Sequence, residues 1–348
     1  MWTKPYGMKE GFLIGGGLIL IGLMLELSVG PVDWDAFRWP VNGIVLAGFL
    51  VLIAIIFLLS KKVYGLQFIG TYKAAIPTLV YAVVLTIIMG LTRQEYPAQF
   101  SPLTGGVREG PGLGGLNHML SFWPFVLIYV YMAVILGLVV LRQLRMWAVA
   151  NFSLLHSFTP SLLHSFTPSL LHSFTPSLLS HLGLFLAMTT ATLGNADVQR
   201  LKMITVKGEP EWRALTSQHQ IVELPFSIEL KEFIMETYDD GSPRRFASDI
   251  QILTKTGKNI QTTVEVNNPV EVDGWKIYQY GYDTQMGAMS QYSILELVSD
   301  PWLPLVYTGI YMMLGGAVCM FLFGGKKKIV NRKSSNRTRF SAFTKRSD

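Results

Sequence analysis

Histidine carries most of the chemistry this chain could perform. Six are present, at positions 118, 156, 164, 172, 181 and 219. Two stand beside long apolar stretches, in Asn117-His118-Met119 and in Ser180-His181-Leu182-Gly183. A neutral imidazole is the usual axial ligand of haem iron and a frequent metal ligand. His181 and His118 are therefore the candidate cofactor-binding residues, with His181 the candidate iron ligand. They lie beside different apolar stretches and at opposite depths, so each would need a second ligand, for example from another subunit. The plain alternative is a packing histidine held by a hydrogen bond.

Glu26 is the third ionisable group placed against an apolar stretch, where such groups are costly and default to a functional reading. It sits one turn from the end of the first stretch, where snorkelling or packing serves it. No catalytic residue is assigned. His219 has no cysteine and no nucleophile elbow near it, and the chain has no phosphate loop or dinucleotide fingerprint. The single cysteine, Cys319, excludes an internal disulfide and a dithiol pair, and reads as a small packing residue. No CxxCH is present, so the chain does not itself attach haem covalently.

The elements that must position these histidines are membrane spans. Half of the residues are apolar and only 15% are charged, against about a quarter in an ordinary soluble domain. Apolar blocks of the roughly 20 residues that cross a bilayer as helix occur at Gly11–Val29, Asn42–Leu59, Ala74–Leu91, Phe122–Leu141, Leu178–Leu193 and Leu303–Phe323. The first lacks a small-residue cleavage site and reads as a retained span.

Lys61, Lys62, Lys73, Arg142, Arg145 and Lys326–Lys328 flank spans and belong inside the cell, whereas the loops Pro31–Pro40 and Thr92–His118 carry balanced charge. Both termini are then cytoplasmic. The net charge of +6 sits largely in the tail, beside an anionic inner leaflet, so it is not a nucleic-acid signal.

Between the last two spans lies a polar island, Gly194–Asp300. Phe226, Ile228 and Leu230 alternate, as do Ile250 with Ile252, Ile260 through Val266, and Ile294 through Val298. Period-two alternation marks half-buried strands. Turn signals separate them at Asp239–Pro243, Lys255–Lys258, Asn267–Pro269 and Asp273-Gly274. The aromatic run Trp275–Tyr282 is expected in the core, a headgroup- or partner-facing surface being the alternative.

Residues 153–176 read Ser-Leu-Leu-His-Ser-Phe-Thr-Pro three times without a mismatch. Such identity indicates a recent duplication. Proline every eight residues prevents one helix from aligning His156, His164 and His172 as a ladder.

The expected fold is an α-helical integral membrane protein of about six spans with an extracytoplasmic all-β domain, a small sandwich or curled sheet, between the last two. Its parts are a four-span bundle (1–150), the repeat insert at the cytoplasmic surface (151–177), the fifth span (178–193), the β domain (194–300), the last span (301–323) and a basic cytoplasmic tail (324–348). The expected location is the cell inner membrane.

Four stretches together resemble the ResB-like (CcsB) family of cytochrome c biogenesis proteins of the System II pathway. They are Ser180-His181-Leu182-Gly183-Leu184-Phe185, the run Glu223–Phe233, Val266-Asn267-Asn268-Pro269 with Gly274–Gln279, and Asp300-Pro301-Trp302-Leu303-Pro304 leading to Gly309. The match runs from about Phe122 to Phe323, the repeat excepted. The resemblance implies a ResC/CcsA-type partner subunit with a tryptophan-rich haem-binding loop, which this chain lacks. It implies further that the pair moves haem b as transient cargo, keeps it reduced and presents it to apocytochrome c. The family's span histidine maps onto His181. A scaffold subunit of the same complex that holds no haem fits the resemblance as well. A quinol-linked redox subunit would need more paired histidines than the chain offers.

Overall fold

The computed structural model describes residues 4–92, 94, 114–156, 176–217 and 219–322. Most of the octapeptide repeat and the basic tail, Lys326–Lys328 included, fall outside them. The chain divides into two compact units, a helical one and a β one.

The helical unit contains α1 (Met8–Val29), α2 (Val41–Leu59), the short α3 (Tyr64–Ile69), α4 (Tyr72–Leu91), α5 (Trp123–His156), α6 (Pro176–Gly194) and α7 (Leu303–Leu322). Among the described residues, six of these are long and apolar enough to cross a membrane. Exposed side chains such as Leu27, Ile44, Leu79 and Phe321 are what a lipid-facing surface requires. α5 runs to His156, 15 residues past the expected end of its span at Leu141. Nothing between Arg142 and His156 is glycine or proline, so nothing stops the helix.

α5 is central to this unit. Ala133, Leu136, Leu138 and Val140 on it form a buried cluster with Ile53 of α2 and with Leu178, Phe185 and Met188 of α6. Ile135 joins a second cluster with Phe68 and Ala74.

α6 meets α7 backbone to backbone. A Cβ on Gly309 would stand 2.5 Å from the Ala187 nitrogen, and one on Gly316 would stand 2.6 Å from the Ser180 nitrogen. A Cβ on Gly183 would collide with Met313. Small residues are what allow helices to approach this closely in lipid, where dispersion contact and not water exclusion holds them together.

The β unit comprises Gly194–Pro301 with the segment Thr92–His118. Its eight strands form one antiparallel sheet in the order β5-β4-β3-β2-β1-β8-β7-β6. They are β1 (Gln199–Val206), β2 (Pro210–Leu215), β3 (Ile221–Thr237), β4 (Pro243–Thr254), β5 (Asn259–Glu265), β6 (Val270–Val272), β7 (Trp275–Tyr282) and β8 (Tyr292–Ser299). The expected alternation is present, with Phe226, Ile228, Leu230, Ile250, Ile252 and Val264 on the buried face. β6 and β7 are joined by Asp273 and Gly274, at φ 48° and 83°. Two successive left-handed residues make the tight turn whose twist suits a two-residue hairpin.

The sheet is curled, not split into a sandwich. Ser248 on β4 donates to Gln279 Oε1 on β7 at 2.6 Å, although four strands separate β4 from β7 in the sheet. Inner residues of nearly every strand meet in one core cluster.

The aromatic run follows expectation only in part, with Trp275 packed against the core cluster. In β7 the buried residues are Ile277 and Gln279, while Tyr280 is exposed on the outer face. Tyr282 stacks between Phe233 and Phe246, at ring separations of 4.9 and 5.0 Å. Inward places belong to alternate positions whatever their residue type, and the register gives them to Ile277 and Gln279.

Candidate functional site

Helical spacing sorts the side chains of α6 onto two faces. Ser177, His181 and Phe185 follow at intervals of four and share a stripe. That stripe meets α5 and α2: Gln143 Nε2 lies 3.1 Å from Ser177 Oγ, and Phe185 stacks on Phe49 at 6.5 Å. Ser180, Gly183 and Ala187 form the other face, against α7.

His181 is half-buried. Its Nδ1 lies 2.6 Å from the Ser177 carbonyl oxygen, one turn earlier on the same helix. A carbonyl only accepts, so Nδ1 carries the proton and Nε2 keeps the lone pair. Ser177 Oγ at 3.2 Å and the Gln143 amide at 3.5 Å crowd the same edge of the ring. Nε2 takes no hydrogen bond among the described residues. A neutral imidazole whose Nδ1–H is held by a carbonyl is the arrangement found behind metal-bound histidine. The chemistry of this donor fits a haem iron, which His181 could hold through Nε2. No group of three histidine, cysteine, aspartate or glutamate side chains stands ready for a metal among them.

Three other polar side chains of the helical unit are engaged with helix ends. Glu26 Oε2 accepts from the backbone N–H of Trp123 at 3.2 Å, the first residue of α5. The adjoining Trp123 indole donates to Gly30 O at 2.8 Å. A carboxylate at a helix N-terminus satisfies an orphan donor and opposes the positive end of the helix dipole. This is more specific than the snorkelling or packing expected for Glu26. Arg142 does the converse, donating to the carbonyls of Gly70 and Gln67 at the end of α3. Asn42 donates to Leu193 O at the end of α6.

His118 belongs to a 3-10 stretch, Gly114–Ser121, and sits at a kink with φ −126° and ψ 52°. It is grouped with the β unit and His181 with the helical unit, so neither unit holds both. His219, at φ 60°, forms part of the turn between β2 and β3. The side chains of His156, His164 and His172 lie outside those described.

The β unit closes its polar groups on one another. Ser248 and Ser293 both donate to Gln279 Oε1, and the Gln279 amide donates to Gly281 O at 2.8 Å. All three side chains are buried. The one depressed base is Lys202 of β1. Burial pushes its amine down to about 8, against the opposing pull of the Glu296 carboxylate 3.7 Å away.

The family comparison falls on the segment that carries His181. The model of the ResB-like family matches residues 175–291. These residues are similar to that family. The match is narrower than the stretch read from the motifs, leaving out α5 and α7, and it contains His181 and β1 to β7.

Cytochrome c biogenesis protein CcsB of Prochlorococcus marinus subsp. pastoris (strain CCMP1986 / NIES-2087 / MED4) is 27% identical over 135 residues, which is 38% of this chain and 31% of that protein. The CcsB of Prochlorococcus marinus (strain NATL1A) is 27% identical over 101 residues, 29% of this chain and 23% of that protein. The chain thus aligns with less than a third of the length of either relative. A solved structure of cytochrome c haem lyase CcmF aligns with 80% of this chain and 45% of its own, at 15% identity and a TM-score of 0.29. A likeness that loose bears no weight. With six apolar helices and CcsB relatives, the chain is a multi-pass membrane protein.

Proposed function

We propose that this chain is a membrane subunit of a cytochrome c maturation complex, and that it holds haem b as cargo through His181 on its way to apocytochrome c. The observation that carries the reading is the state of that imidazole. Its Nδ1 is committed to Ser177 O, and its Nε2 is open. The ResB-like segment and the CcsB relatives supply the pathway. The curled β unit, with its buried polar groups satisfied, acts as a docking body and not as a reactive one. It lies outside the cytoplasm, on the reading of span-flanking charge. A tryptophan-rich ResC/CcsA-type subunit completes the complex and supplies the remaining haem contacts. The protein sits in the inner membrane.

Here the contribution of the chain to catalysis is positional. Held iron fixes the porphyrin, so that its vinyl groups meet cysteine thiols at high effective concentration. His181 orients the cargo and Ser177 orients His181.

The test is spectroscopic. The full chain, purified in detergent with haem b, is expected to show a Soret band typical of histidine-ligated haem. His181→Ala should abolish or shift it, and His118→Ala should leave it in place. An unchanged band in His181→Ala removes His181 as the ligand and leaves the scaffold reading standing. A reporter fused after Asp348 tests the sidedness, and activity outside the cytoplasm overturns it.

A further inference from the structure

We infer that Gln143, on α5, is a positioning residue for His181, and that it does so by turning its amide oxygen onto the Nδ1–H edge of the imidazole. The inference rests on the reading of His181 as an iron ligand and adds to it a residue from a second helix.

The argument begins with the proton. Ser177 O fixes Nδ1 as a donor. Gln143 Nε2 stands 3.5 Å from that same Nδ1 and 3.1 Å from Ser177 Oγ. That NH2 donates to Ser177 Oγ, but opposite the Nδ1–H it sets donor against donor. The other end of the same amide, Gln143 Oε1, is buried and has no hydrogen-bond partner. A buried acceptor without a donor costs about 1–3 kcal/mol.

Oxygen and nitrogen of a glutamine amide exchange by a half-turn of the last torsion, and the network around them decides which faces where. The exchange trades one unpartnered end for the other. It also converts the donor–donor meeting into two possible hydrogen bonds, because Nδ1–H and the Ser177 hydroxyl then face one acceptor. Gln143 is 38 positions from His181 in sequence and reaches it only because α5 continues past the expected end of its span.

An acceptor on Nδ1–H increases the electron-donating power of Nε2. A better donor favours ferric over ferrous iron, so the reduction potential of bound haem falls as the acceptor strengthens. Gln143 would therefore tune the cargo as well as hold the ring.

The experiment compares Gln143→Glu and Gln143→Leu in the full chain loaded with haem b, by potentiometric titration of the Soret band. The carboxylate is a stronger acceptor at the same reach, and leucine accepts nothing. The expected result is a lower potential in Gln143→Glu than in the parent and a higher one in Gln143→Leu. A role in packing alone, or one in which the NH2 donates to Ser177, moves both variants in the same direction or neither, and overturns the inference. If Gln143→Leu fails to retain haem, the Glu variant decides: a fall in potential supports the inference, and an unmoved or raised potential overturns it. The two readings separate on His181→Ala. A band unchanged there brings down the ligand and with it this inference. A band lost there, with potentials unmoved in the Gln143 variants, brings down only Gln143.

Discussion

The two units treat their buried polar groups in opposite ways. In the β unit, Ser248, Gln279 and Ser293 satisfy one another inside the curled sheet. In the helical unit, Glu26, Arg142 and Asn42 are spent on helix ends, whereas the Tyr131 hydroxyl, Gln143 Oε1 and His181 Nε2 take no hydrogen bond among the described residues. The β unit is the larger source of polar residues, yet the helical unit holds the group that can coordinate something. A closed polar network adds rigidity and specifies one packing. A single open donor in a helix adds a binding site.

That contrast can be broken in several places. The largest effect is expected from His181→Ala, which should remove the haem band while leaving the far-ultraviolet circular dichroism unchanged. Loss of that band by a β-unit substitution alone, such as Gln279→Leu, would end the contrast. Next comes Gly183→Leu. Its side chain must enter the space of Met313 and the α7 backbone, and overpacking of this kind costs about 1–3 kcal/mol or more. Thermal unfolding in detergent should fall by several degrees, and a cysteine pair engineered across α6 and α7 should stop cross-linking.

Gln279→Leu itself deprives the Ser248 and Ser293 hydroxyls of their shared acceptor, at about 1–3 kcal/mol. Denaturant titration of tryptophan fluorescence reads the loss. Glu26→Ala removes a cap from α5, worth about 0.5–2 kcal/mol, and should lower the thermal midpoint slightly without touching the haem band.

The smallest effect concerns Lys202. Its folded pKa is about 8, below the 10.5 of the free amine. Between those values the unfolded chain binds more protons, so stability rises with pH across that window and is flat below it. Lys202→Met should erase the rise. A slope that persists in the variant belongs to another group.

Much of this was legible in the chain itself. Hydropathy marks the spans because bilayer thickness leaves little freedom in their length. Alternation marks β3, β4, β5 and β8, whose inward positions are mostly Ile, Leu, Phe or Val, with Ser248 and Ser293 among the exceptions. β1 and β2 escape because the apolar Ile204, Val206 and Trp212 are exposed while Thr205 of β1 points inward, which breaks the alternation. Gln279 looks like a surface residue by type, and only the fold reveals the two serines that satisfy it. Ser177 could have been read as a partner of His181 from its spacing of four. Gln143 and Glu26 could not, since their partners lie 38 and 97 positions away and depend on how helices meet. The end of α5 was placed at the limit of apolarity, whereas helix continues until a breaker stops it.

The contact of Gly183, Gly309 and Gly316 across α6 and α7 also acts at a distance along the chain. It fastens together the two points between which the whole β unit is strung. If the strands unfold while the helices stay together, the released polypeptide is a closed ring and not a free thread. In the chain-entropy picture, closing a ring of about 100 residues removes about 4.7 kcal/mol of disorder from the unfolded state. Three residues without side chains thus serve a protein with one cysteine in the place of a disulfide.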